Sequence, residues 1–464
     1  MSLSSLRRSQ AAGALCAVAL LAGCSSGTGG SASTQTPLPS PSYGQGTATA
    51  LSTDPQTWTT YNGSSSRAGT SNAAPVSAAP AVAWQAQLDG AVYGQPLLMG
   101  DQVYAATEND SVYALDQKTG AVLWRTHLAS PQPLSALPCG DISPLGITST
   151  MVFDPATDSL FALAEEDGGD HVLFALNPAN GTVKWKRTAE PPVGLPIDTQ
   201  QRGALTLAFG RVYIGFGGLA GDCANYIGSV VGVPTNDVGA SVTYHIPTAR
   251  EGGIWAPGGL SVSGNELFAI DGNGASTTTY DGSDSVVGLS PALVRQSFFA
   301  PATWVQDNEN DKDLGIMTPA PVGGDLLAVG KNGYAYLLDP AKLGGIGGQL
   351  AQLMVCPAYG SAAVQGTTVY VSCHSGGTRA LSVTDGTIRI LWASTTPTNG
   401  SPTVDRTSVW TTDFTDGVLY RLDASTGAVT GQLTIGSLPH FASPTLGAGR
   451  VYVGTMSGVT AVAQ

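Results

Sequence analysis

The chain has 464 residues and a formal net charge of −13, with only 11% Asp, Glu, Lys and Arg, against the roughly 25% usual in soluble domains. So little charge excludes a coiled coil or a salt-bridged helical bundle, and 60 Gly with 29 Pro interrupt any long helix. The acidic balance excludes a protein that neutralises nucleic-acid phosphates, while 42% apolar residues suffice to build a core.

Residues 1–23 open with Arg7 and Arg8, continue through an apolar stretch from Ala11 to Leu21, and read as an export signal. That stretch is shorter than the roughly 20 residues a membrane span needs. Its end, Leu21-Ala22-Gly23-Cys24, resembles the bacterial lipobox. The resemblance implies that Cys24 is acylated as the first mature residue and anchors the protein to the extracytoplasmic side of the cell membrane. Residues 24–57 then form a tether, because Ser25 to Ala50 is Ser, Thr, Gly and Pro-rich without a charge and buries too little to fold.

A repeated unit fills residues 58–464. From Val103 the chain reads VYAATENDSVYALDQKTGAVLWRTHL, in which apolar alternation on both sides of short polar turns predicts antiparallel strands. The pattern recurs at Val172 to Trp185, Tyr334 to Gly345, Arg379 to Trp392 and Leu419 to Leu433, with weaker copies at Val230 to Thr235 and Val286 to Leu293. Eight small-residue strands precede these units, beginning at Tyr93, Ile147, Ala204, Gly258, Met317, Ser361, Ser401 and Ser443. Turn markers from Asp116 to Asp423 recur at about 40 to 60 residues, the size of a four-stranded sheet plus loops. The last copy lacks its outer strand, whereas Ala81 to Leu88 is an outer strand with no unit before it. The expectation is an all-β, eight-bladed β-propeller of four-stranded antiparallel blades, closed by the N-terminal strand joining the C-terminal blade; seven blades is the alternative. Trp84, Trp124, Trp185 and Trp392 are then wedges between neighbouring sheets.

These AxDxxTGxxxW repeats resemble the quinoprotein alcohol dehydrogenase-like family of PQQ-binding-like β-propellers, which also includes the propeller lipoprotein of outer-membrane assembly. A narrower likeness runs through Gly146 to Thr150, Gln201-Arg202-Gly203, Gly252 to Trp255, Asp271 to Gly274, Asp284 to Val286, Asp313-Leu314-Gly315 and Lys331-Asn332-Gly333. It points to secreted members of unassigned activity. In the quinone dehydrogenases a tryptophan underlies the cofactor, a carboxylate and an amide hold calcium, an aspartate is the base, and adjacent cysteines form a disulfide. No Cys-Cys pair occurs in this chain.

With Cys16 in the signal and Cys24 acylated, an even set of cysteines remains for oxidation outside the cytoplasm. The repeat register pairs Cys139 with Cys223, on same-side loops of adjacent blades, and Cys356 with Cys373, flanking the inner strands of one blade. Zinc finds no CxxC spacing, no metal site is expected, and GxSxG, HExxH and GxxxxGK[ST] are absent. The run Asp307 to Asp313 places oxygens at alternate positions but lacks the glycine and distal glutamate of an EF-hand, so it reads as a solvated acidic loop.

In a propeller the loops entering the inner strands and those leaving the second strands meet on one face. That register gathers Arg202, Trp255, Asn273, Asp311, Asp313, Lys331, His374 and His440, together with Glu108, into a candidate cup for a polar or anionic small molecule. No catalytic residue is assigned. The sequence favours a membrane-anchored, monomeric, non-catalytic binding or scaffold module for a protein, glycan or small ligand, without cofactor or nucleic acid. The alternative is a PQQ-dependent oxidoreductase of the alcohol or sugar dehydrogenase kind. There Arg202 and Lys331 would neutralise the carboxylates of pyrroloquinoline quinone, calcium would accompany it, and Trp255 would stack on its rings.

Overall fold

The computed structural model describes residues 49, 54, 56–72 and 79–463; the expected signal, the acylated Cys24 and most of the tether lie outside the described residues. Eight small antiparallel sheets follow one another along the chain, and they form an eight-bladed propeller rather than a seven-bladed one. Blade 1 comprises Leu97–Met99, Gln102–Thr107, Ser111–Asp116 and Val122–His127. The inner strands of blades 2 to 7 are Val152–Asp154, Thr206–Ala208, Ser261–Ser263, Ala320–Val322, Ala363–Gln365 and Thr403–Val404. Blade 8 consists of Thr445–Gly447, Arg450–Thr455 and Gly458–Ala463, completed by Ala81–Gln87, which pairs antiparallel with Gly458–Ala463. Closure by strands from both ends leaves neither terminal blade with a short outer edge.

The burial pattern follows from this stacking. In blade 2, Ser159–Glu165 and His171–Leu176 are buried at every residue, because both faces pack against neighbouring blades, whereas the outer strand Val183–Thr188 alternates with solvent. The inner strands are shorter than expected, and only their last two or three residues join their own sheet. The residues before them bond to the adjacent blade instead: Leu205 N–H donates to Thr150 O at 3.0 Å, Ala204 N–H to Pro257 O at 2.9 Å and Thr318 N–H to Gly360 O at 3.0 Å. Small side chains are required here because the backbones of neighbouring blades touch around the axis.

The tryptophans act as the wedges expected of them, and the glycine of each TG turn explains how. Trp84, Trp124 and Trp392 donate their indole N–H to Gln117 O, Pro178 O and Ala424 O of the following blade at 3.0, 2.9 and 3.0 Å. Each ring then lies on the turn glycine three residues further on, so that a Cβ at Gly120, Gly181 or Gly427 would meet it at 2.5, 2.5 or 2.4 Å. Trp185 packs instead on Phe161, with ring centroids 5.5 Å apart.

One element has no counterpart in the repeat. Thr57–Trp58 adds to the inner strand of blade 1, and the following residues cross the axis, bonding to one inner strand after another. Phe153 N–H donates to Thr59 O, Val262 N–H to Ser65 O, Val364 N–H to Ala68 O and Val404 N–H to Gly69 O. Arg67, 1% exposed, donates to Leu260 O and Leu205 O at 3.1 Å each and to the Thr60 hydroxyl at 2.9 Å. The segment is an axial plug.

Among the described residues no helix is long and apolar enough to cross a membrane. The turn-glycine contact generates a stability difference. Gly100 and Gly427 both have left-handed φ, +60° and +73°, but nothing lies within 4 Å of a Cβ at Gly100. Gly100→Ala should cost about 1 kcal/mol, the backbone penalty alone, whereas Gly427→Ala should add roughly 1–3 kcal/mol of overpacking against Trp392. Denaturant unfolding of the two variants side by side reads the difference.

Candidate functional site

The loops that converge on one face enclose a cavity of ≈ 350 Å³ lined by Arg202, Trp255, Asp311, Lys331, His440 and Phe441, with Asp141, Gln200 and the 218–222 loop. Arg202, Trp255, Asp311 and His440 come from segments entering inner strands, and Lys331 and the 218–222 loop follow second strands. The Cys139–Cys223 disulfide forms as expected and ties Asp141's loop to the 218–222 loop across this wall; Cys356–Cys373 forms as well.

Two cations face the cup in different states. Lys331 is held by Asp313 at 2.5 Å and Asp311 at 2.7 Å, with its ammonium 5.9 Å from the Trp255 ring centroid. Burial alone would lower its pKa, but Asp313 and Asp311 outweigh burial and raise it. Arg202 makes no hydrogen bond or ion pair with the described residues and is held between rings, 4.9 Å from the Phe441 centroid and 6.0 Å from that of Tyr93. Burial pulls its pKa down and Asp141, Tyr93 and Glu108 pull it back; a guanidinium keeps its charge in such surroundings. Beneath it a second cavity of ≈ 20 Å³, lined by Tyr61, Tyr93, Thr148, Thr150 and Ser443, reaches the axial plug.

The remaining expected residues are placed as follows. Asp313, 2% exposed, lies behind Lys331 and accepts the Asn273 backbone N–H at 2.9 Å, which brings Asn273 beside the cup. His374 is elsewhere, packed on Tyr359 with centroids 4.5 Å apart and the rings tilted by 39°, and lining a separate cavity of ≈ 250 Å³. Glu108 is not a cup residue: it is buried between blades 1 and 2, accepting Gly146 N–H at 2.8 Å and the Thr148 hydroxyl at 3.1 Å. The run Asp307 to Asp313 is a solvated acidic loop only in part: Glu309 to Lys312 are exposed, but Trp304–Glu309 is a short α-helix and Asp307 is buried, accepting from Thr303 at 2.7 Å and Asn332 at 3.0 Å. Asp141 and Phe441 line the cup, and Tyr93 and Phe414 pack beside them against Arg202 and Phe441; none of the four is marked by the repeat or by a motif. The register that puts His440 on this face is the one signal that could have found its neighbour Phe441.

The family model PQQ_2, described as outer membrane protein assembly factor BamB, matches residues 76–215 and 258–433. The chain belongs to this family of PQQ-like propellers. A polyvinylalcohol dehydrogenase from Sphingopyxis sp. (strain 113P3) is 24% identical over 314 residues, covering 56% of this chain and 44% of the relative, so the chain spans less than half the length of that protein. Similar folds occur in the quinohemoprotein alcohol dehydrogenase of Comamonas testosteroni (TM-score 0.66, 16% identity, 88% of this chain and 80% of that one). A europium-containing methanol dehydrogenase (TM-score 0.66, 15% identity, 87% and 90%) and BamB of Moraxella catarrhalis (TM-score 0.57, 15% identity, 83% and 98%) share it too.

In this PQQ-like propeller the blade boundaries below and beside the cup carry an unusual number of buried acids. Burial pushes Glu108 up to about 8 and Asp110 up to about 9, and it raises Asp271, Asp284 and Asp313 in the same direction. His171, 0% exposed, bridges Glu165 at 3.4 Å and Glu190 at 3.0 Å; burial opposes its charge, but the two carboxylates prevail and raise it to about 9. All these groups bind protons more tightly folded than unfolded. Their stabilisation is complete below the ordinary carboxylate range, or the ordinary imidazole range for His171, and is lost as pH rises through the folded values. The Tm should therefore fall steadily between about pH 5 and pH 9. Glu108→Gln, which keeps the shape and cannot ionise, should flatten part of that slope in a pH series of thermal melts.

Proposed function

We propose that the cup binds a planar, polyanionic redox cofactor of the pyrroloquinoline quinone type, and that the protein oxidises hydroxyl groups there. The observation that carries this reading is Arg202: a guanidinium in the cup with no acceptor among the described residues needs an anion to complete its five donor sites. The cavity volume falls within the roughly 300–1,000 Å³ of small-molecule sites. A carboxylated aromatic ring system fits this lining, with Arg202 meeting a carboxylate and Trp255 offering an indole, beside a Lys331 already paired with Asp311 and Asp313.

A bound quinone would supply the two-electron oxidant. The chain's own groups bind it, orient it and present Asp311, whose side chain is 72% exposed, as the carboxylate placed to accept a hydroxyl proton. For a divalent cation the set is thinner: among the described residues no group of three or more His, Cys, Asp or Glu could hold a metal, and Asp313 is neutralised by Lys331. We assign no step to a metal. The likeness to polyvinylalcohol dehydrogenase and the fold shared with quinone-type alcohol dehydrogenases support this reading over the non-catalytic module expected from the sequence.

Adding pyrroloquinoline quinone, with and without calcium, to the purified protein should raise its Tm and support dye reduction by alcohols or sugars. Arg202→Ala should abolish the shift while leaving the unliganded Tm near that of the parent. No shift and no turnover with the parent protein would return the cup to a non-catalytic binding role.

We also propose that Cys24 carries the lipid that holds the propeller at the membrane. Cys24→Ser should move the protein from the membrane fraction to the soluble exported fraction, because removing the acyl chains removes the apolar area that anchors it.

A further inference from the structure

We infer that the narrow cavity beneath Arg202 is a separate site for one small monovalent anion of chloride or bromide size, held by the Arg202 guanidinium together with the Tyr61 and Thr150 hydroxyls. The inference goes beyond the proposed function and does not rest on it. A halide needs no quinone, and a guanidinium carries five donors, enough to serve one anion below and another in the cup.

The cavity adjoins the cup and has walls of its own. Arg202, His440 and Phe441 line both, whereas Tyr61, Thr150 and Ser443 line the smaller one only. Its ≈ 20 Å³ is room for a single water-sized body, so sulfate, phosphate and larger organic anions are excluded by size. No carboxylate lines it, and Arg202 supplies the charge. The acids that face Arg202 stay outside: Asp141 lines the cup, and Glu108 lies behind the Thr148 hydroxyl, where burial favours its neutral form.

The donors are left over from the fold. Tyr61 belongs to the axial plug and is 3% exposed, yet its hydroxyl has no hydrogen-bond partner among the described residues, a costly state for a buried polar group. Burial raises its pKa against the pull of the neighbouring Ser401, Ser443, Arg67 and Arg202, so the hydroxyl keeps its proton and can donate. The Thr150 hydroxyl accepts Gln95 N–H at 2.8 Å and donates to no described residue. Ser443 is already spent, accepting from Gln95 Nε2 at 3.1 Å and donating to Asn62 Oδ1 at 3.4 Å. Arg202 has ring contacts alone. A halide accepts from all three free donors at once, whereas a water accepts from two at most and brings hydrogens that need acceptors of their own. The bound halide joins the plug, through Tyr61, to the segments that enter the inner strands of blades 2 and 3, through Thr150 and Arg202. It thereby positions Arg202 under the cup.

Thermal melts of the full-length protein, freed of halide and without quinone, test this. Sodium chloride or bromide should raise the Tm along a saturating curve, as a ligand of the folded state does, whereas sodium gluconate at the same ionic strength should give no saturating rise. Tyr61→Phe, which keeps the ring and loses the donor, should weaken chloride about tenfold. Crystals of the parent protein soaked in bromide should show anomalous density within hydrogen-bond reach of Arg202, Tyr61 and Thr150, a readout that does not depend on the variant folding. Equal behaviour of chloride and gluconate, bromide density only elsewhere on the protein, or undiminished chloride binding by folded Tyr61→Phe overturns the inference. Quinone shifts on the same samples keep the two readings apart: a quinone shift without a halide site removes this inference alone, and a halide site without a quinone shift supports it while removing the redox reading of the cup.

Discussion

The structure depends on how each blade grips the next. A four-stranded sheet of this size cannot bury both of its faces alone, and its two central strands are buried at every residue in blade 2. The sheets therefore persist only as a closed ring in which each face has a neighbour. The tryptophan contact supplies that grip at the periphery: an indole donates to a carbonyl of the following turn and lies on a glycine that has no side chain to hold it away. Near the axis the same task falls to backbone hydrogen bonds between adjacent inner strands. Wide contacts outside and close contacts inside give each blade its taper.

The closed ring explains why the cup is rigid enough to bind anything. Its lining residues are spread from Asp141 to Phe441, so their relative positions depend on the angle at every blade boundary. The axial plug fixes those angles from within, since one short segment bonds to the inner strands of blades 2, 4, 6 and 7 and Arg67 reaches those of blades 3 and 4. A buried guanidinium bonded to neutral acceptors trades solvation for several directed bonds. The trade is reasonable where one side chain has to hold several chain segments. The disulfide from Cys139 to Cys223 does the same for the rim.

The fold was legible because it repeats. The Asp-x-x-Thr-Gly turn and the tryptophan after it are sequence-local, so Asp116 to Trp124 and Asp423 to Gly427 could be read without the rest of the chain. The blade count followed from the eight small-residue strands, and closure from the missing outer strand and the orphan Ala81 to Leu88. The cup was legible only in outline, because the register tells which face a loop emerges on and not how deep its side chains lie. Arg202, Trp255, Asp311, Lys331 and His440 met in one cavity, but Glu108 sank between blades and His374 turned toward Tyr359. The plug left no signal, since its bonds go to strands far away in sequence and follow no period. Phe441 was missed for a different reason: an aromatic residue is ordinarily core, and its left-handed backbone cannot be read from its identity.

The charge distribution around the cup follows from the same constraint. Loops that bend sharply into the next inner strand leave backbone N–H groups without ladder partners, and buried acids satisfy them: Glu108 serves Gly146, Asp284 serves Leu314, and Asp313 serves Asn273. Glu108 and Asp284 each use one oxygen for the backbone and leave the other, Glu108 Oε1 and Asp284 Oδ2, buried without a partner among the described residues, whereas the second oxygen of Asp313 meets Lys331. Burial then favours the protonated form, which allows several acids to crowd near the axis without mutual repulsion. The cations need not all be spent on compensating them. Lys331 answers Asp313 and Asp311, and Arg202 has no ion-pair partner among the described residues. In an acidic protein, that guanidinium is a local reversal of sign within the cup.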